Sequence, residues 1–64
     1  MLSWFAKSLE DVPDDLRAYV SNQASLAYNL GYSIAVWIEN GKAHIKIAYG
    51  PRINGLLNPR NFIR

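Results

Sequence analysis

His44 is the chain's single histidine, and the chain has no cysteine. Acid–base or nucleophilic chemistry on one imidazole needs an orienting carboxylate and a second reacting group. The alternating segment around it, "YSIAVWIENGKAHIKIAY", offers Glu39 as the one acid on the same strand face, and Lys42 directly opposite Glu39 claims it first. A ribonuclease resting on His44 is therefore the weakest reading. A structural zinc site takes four nitrogen or sulfur ligands, which this chain cannot assemble. The acids of "EDVPDD" suit a helix start better than a metal site, and no glycine-rich phosphate loop occurs. The expectation is a protein with no catalytic residues, no metal and no cofactor.

Binding chemistry is better represented. Trp37 stands with His44 and Lys46 on one side of the alternating segment, and Arg52, Arg60 and Arg64 punctuate the C-terminal stretch with Asn54, Asn58 and Asn61. An aromatic beside cations on a sheet can stack single-stranded bases. The same trio can anchor a protein partner, where tryptophan is enriched. The plainer alternative is that Trp37 is covered by Phe62 or Leu57 of the tail, and that the arginines are ordinary loop residues.

The element that positions Trp37, His44 and Lys46 is a β-hairpin. Asn40-Gly41 is the preferred pair for a two-residue type I′ turn, in which both residues have positive φ. Strands are predicted over about 32–39 and 42–49. Counting outward pairs Glu39 with Lys42, Trp37 with His44 and Ala35 with Lys46. Tyr32, Ile34, Val36, Ile38, Ala43, Ile45, Ile47 and Tyr49 then share an apolar face. A one-residue slip would put lysine and histidine on it, so the register is well specified.

A helix over about 13–30 should cover that face. Pro13 suits a first helical position, Asp14 and Asp15 favour the positive end of the helix dipole, and Gly31 suits a left-handed C-cap. Leu16, Tyr19, Val20, Ala24, Leu26, Ala27 and Leu30 fall in one arc, predicted buried, with Gln23 among them. The opposite face carries Arg17, Ser21, Asn22, Ser25 and Asn29. Small neutral residues there are compatible with plain exposure or with close approach of a second helix. Gln23, Ser21 and Ser25 are the candidate dimer contacts. No residue from Ala18 to Ile38 is charged, yet Ser21, Asn22, Gln23, Ser25 and Asn29 interrupt the run, so a membrane span of about 20 apolar residues is not expected.

The ends carry weaker signals. "LSWFAKSLED" suggests a short helix over about 3–10, with Ser3 as cap, Leu2, Phe5 and Leu9 on one side, and Trp4 and Phe5 closing one end of the core. Residues 50–64 contain Gly50-Pro51, Asn54-Gly55 and Asn58-Pro59, three breaker signals that predict an irregular tail.

A chain of 64 residues allows one small domain, burying only about 60% of the surface its unfolded form exposes. Disulfide and metal staples are absent, which leaves oligomerisation. A homodimer whose sheet continues across subunits is expected, because two strands alone are marginal and neither terminus shows strong strand character. Net charge is +2, unevenly spread: residues 1–15 carry −3 and residues 40–64 carry +5. "MLSWFAKSLEDV" lacks the basic start of a signal peptide, so a soluble cytoplasmic protein is expected. The fold class is α+β: short N-terminal helix, main amphipathic helix, antiparallel hairpin and irregular basic tail. The expected function is a non-enzymatic interaction protein, an inhibitor or adaptor of the kind phages and mobile elements encode, binding an unidentified protein. The alternative is a nucleic-acid binder using the basic C-terminal half and the Trp37 face.

Overall fold

The computed structural model describes residues 3–49 and 56–64, so Arg52, one of the candidate binding residues, lies outside the described part. The fold is α+β, and the described residues form a three-stranded antiparallel sheet in the order β1-β2-β3 and one α-helix. Strand β1 is Ser3–Ala6, α1 is Arg17–Leu30, β2 is Ser33–Glu39 and β3 is Lys42–Ala48. Short 3-10 turns occupy Leu9–Asp11, Asp14–Leu16 and Pro59–Phe62.

The hairpin has the register that the Asn40-Gly41 turn dictates. Asn40 (φ 53°) and Gly41 (φ 77°) are both left-handed, as a type I′ turn requires. Glu39 pairs with Lys42, Trp37 with His44, and Ser33 with Ala48. Beyond the strand ends Tyr32 and Tyr49 still meet edge to face, with ring centroids 5.4 Å apart.

The N-terminus departs from the helical expectation. Ser3–Ala6 is a strand on the free edge of β2, with Trp4 opposite Ile38 and Ala6 opposite Val36. A helix would have left the backbone groups of buried β2 unpaired, a cost that local spacing in "LSWFA" does not register. The third strand therefore comes from within the chain. Farther along the same edge Leu57 takes over, exchanging two backbone hydrogen bonds with Ile34 at 2.9 and 2.7 Å. Both edges of β2 are thus occupied over most of its length.

The main helix begins later than predicted, and its buried face is turned. Pro13 precedes a 3-10 turn, and α-helical bonding starts at Arg17. Gly31 (φ 74°) closes the helix with a Schellman arrangement, Tyr32 N–H donating to Ala27 O and Gly31 N–H to Tyr28 O. Val20, Ser21, Ala24 and Ala27 are buried, whereas Tyr19, Leu26 and Leu30, which the arc placed inside, are about half exposed. The rotation follows from the tail. Its 3-10 turn packs on α1, and Phe62 enters the core beside Val20, Ala24, Ile34, Val36 and Ile38. The Arg64 N–H donates to Ser21 Oγ at 3.1 Å, so that hydroxyl is engaged within the chain. The end of the tail is ordered on the core, not irregular throughout.

Arg17 ties the connection to the helix. Its guanidinium donates to Val12 O (2.9 Å) and Glu10 O (3.4 Å) and pairs with Asp14 (3.2 Å). No helix among the described residues is long and apolar enough to cross a membrane.

Candidate binding face on the outer side of the sheet

The helix and tail cover one face of the sheet, the inner one. Alternation along the strands assigns Trp4, Ala6, Ile34, Val36, Ile38, Ala43, Ile45 and Ile47 to it, and Ile34, Val36 and Ile38 are fully buried. The opposite, outer face carries Ser3, Phe5, Ser33, Ala35, Trp37, Glu39, Lys42, His44, Lys46 and Ala48.

Register brings three rings of the outer face into one row. Phe5 lies opposite Trp37 on β2, and Trp37 lies opposite His44 on β3. The Phe5 and Trp37 ring centroids are 6.0 Å apart, tilted by 49°. Trp37 and His44 are stacked at 5.3 Å with 12° between their planes. Phe5 is 69% exposed, Trp37 and His44 are partly buried, and Ser33 and Ala35 farther along the same face of β2 are buried. The row crosses all three strands perpendicular to their direction.

Charges of both signs border the row. Glu39, expected to be claimed by Lys42, has its carboxylate 3.7 Å from His44 Nε2, an ion pair when the imidazole is protonated. Lys42 and Lys46 are exposed. A carboxylate beside the single histidine is a common catalytic pairing. Here both groups are nearly half exposed on a strand surface. Among the described residues no group of three or more His, Cys, Asp or Glu could hold a metal ion.

The structure thus brings together Trp37, His44 and Lys46 and separates them from the described tail arginines. Arg60 is exposed in the last 3-10 turn, where its N–H donates to the capping Asn58 Oδ1 at 3.0 Å, and Arg64 ends beside Ser21 on the helix side. Phe62 does not cover Trp37, because it is buried in the core on the inner face, and Leu57 packs against that same core. Gln23 and Ser25 are partly buried on α1.

Phe5 is the residue that sequence reasoning did not assign to the face. Ser3-Trp4-Phe5-Ala6 has no polar–apolar alternation, so nothing local in the sequence marked it. Comparison of the chain with protein-family models, with curated proteins and with solved structures finds no match.

Proposed function

We propose that this chain is a non-enzymatic binding protein that docks a protein partner on the outer face of its sheet. The observation that carries this reading is the Phe5–Trp37–His44 row, in which Phe5 is 69% exposed and Trp37 and His44 stay partly exposed, beside Ser33 and Ala35, which are buried on the same face. Large rings on a flat, strand-supported surface lose little side-chain entropy on binding and supply most of the desolvation energy at protein interfaces. The border of Glu39, Lys42 and Lys46 mixes signs, as the polar rim of a protein interface does. Either an inhibitor or an adaptor would use such a face.

A photo-crosslinking residue at position 5 tests the reading in extracts of cells that make the protein. A discrete protein adduct is expected, absent when the crosslinker sits at position 15 and strongly reduced by Trp37→Ala. No adduct above the position-15 control would overturn it.

A second reading is single-stranded nucleic-acid binding, favoured by Lys42 and Lys46 beside the stacked rings. It predicts quenched tryptophan emission with oligonucleotides at about 50 mM salt, with affinity falling on a log–log slope of about −0.7 per phosphate neutralised. Absence of binding under those conditions removes this alternative.

A further inference from the structure

The two flanks of the molecule differ. On the β1 side, β2 is bordered by β1 and Leu57, and Val12 and Phe62 join the buried core, with Leu9 and Ile63 packed against it. On the β3 side nothing equivalent appears among the described residues. The inner-face residues of β3, Ala43, Ile45 and Ile47, are only partly buried, while those of β2 are fully so. Tyr49, in phase with them at the strand end, is 82% exposed.

Part of the exposed side of α1 turns toward this same flank. Arg17 and Ser21 face the N-terminal connection and the tail, both attached on the β1 side. At 100° per residue, Tyr19, Leu26 and Leu30 lie on the other side of the helix, toward β3. Leu26 and Leu30 are 51% and 55% exposed, and with Tyr19 and partly buried Gln23 they follow the 4-3-4 spacing of a helix-pairing seam.

The backbone of β3 is open along this flank too. In a two-residue hairpin the residues next to the turn form a hydrogen-bonded pair, so Lys42, His44, Lys46 and Ala48 bond to β2. Ala43, Ile45 and Ile47 then direct their N–H and C=O groups outward. No backbone bond beyond the sheet satisfies them among the described residues.

We infer that a second copy of this chain occupies this flank, pairing β3 with β3 antiparallel about a twofold axis at Ile45. The sequence of the edge argues for a copy of itself. Lys42–Ala48 is centred on Ile45, so this register pairs every residue of the strand, setting Ala43 against the partner's Ile47. It opposes Lys42 to the partner's Ala48 and Lys46 to the partner's His44, so no lysine faces a lysine. From Ala18 to Leu30 the helix has no charge to oppose its copy. Because α1 packs on both β2 and β3, the twofold sets the two helix axes about 10–14 Å apart, within reach of tyrosine and leucine side chains. A stable interface takes about 800 Å² per partner, roughly a fifth of the chain's 4411 Å² surface.

The result is a six-stranded sheet with both helices on one face and both aromatic rows on the other. Each row then runs from Phe5 through Trp37 and His44 to the partner's Lys46. The dimer stands on the inner flank and does not depend on what the outer face binds.

Sedimentation equilibrium of the full chain across about 1–100 μM tests it. The expected mass is twice 7.3 kDa, with hydrogen-exchange protection at the amides of Ala43, Ile45 and Ile47. Leu26→Glu with Leu30→Glu, at positions already half exposed, should weaken association at least about 100-fold and keep the circular-dichroism spectrum. A 7.3 kDa species throughout overturns the proposal. So does a dimer whose β3 amides exchange freely, or one that the two substitutions leave equally tight. Were the double variant unfolded, the wild-type mass and exchange pattern would still decide.

Discussion

Ile34 and Leu57 exchange two backbone hydrogen bonds, Ile34 N–H to Leu57 O at 2.9 Å and Leu57 N–H to Ile34 O at 2.7 Å. They join the start of the central strand to a segment 23 residues later in the chain, on the edge that β1 leaves open. Ile34 is fully buried, so its carbonyl has no water to replace a lost donor. Leu57→Pro removes that donor and should cost about 2–3 kcal/mol of stability. Leu57→Ala keeps the donor and loses only partly buried side-chain contacts, so its urea midpoint should lie between those of the wild type and the proline variant.

Phe62 is the largest fully buried side chain, and it arrives from the tail. Phe62→Ala should cost about 3–5 kcal/mol, the sum of lost transfer energy and the cavity left behind. In so small a domain that approaches the whole stability. Loss of the cooperative thermal transition by circular dichroism is the expected result. A transition shifted by only a degree or two would show that the tail is not part of the core.

Trp4 and Phe5 separate the strand from the predicted N-terminal helix. Trp4 is on the inner face and its indole N–H donates to Asp11 O at 2.9 Å, whereas Phe5 is on the outer face. Trp4→Ala should destabilise by about 2–3 kcal/mol, and Phe5→Ala by about 1 kcal/mol or less, the worth of one aromatic pair. Partner binding should respond in the reverse order. Equal stability losses from chemical denaturation would contradict this placement.

Arg17 donates to two carbonyls, Val12 O and Glu10 O, and pairs with Asp14. Arg17→Met should cost roughly 1–2 kcal/mol, discounted because the guanidinium is partly exposed. Arg17→Lys should recover little of it. An ammonium cannot span three acceptors that a planar fork reaches together. Exchange protection of the Val12–Arg17 segment should fall in both variants.

The hairpin and the helix stop were legible in the sequence because their causes are local. Asn40-Gly41 can adopt two left-handed conformations in succession, and strict alternation on either side admits one register. Gly31 ends the helix for the same conformational reason. That register alone sets Trp37 opposite His44, so two members of the candidate face were readable before any tertiary contact, though not that their rings stack.

Tertiary structure decided the rest, through groups distant in sequence. The unpaired edge of β2 drew Ser3–Ala6 into a strand and so placed Phe5 beside Trp37, which helical spacing in "LSWFA" could not show. Phe62 and the Arg64 backbone fixed which side of α1 is buried, enclosing Ser21 and leaving Leu26 and Leu30 outside. A helix whose polar side has one charge, Arg17 at its start, and otherwise small neutral residues specifies its own rotation weakly. Without a charged face that must remain in water, the segment that packs against it sets the angle.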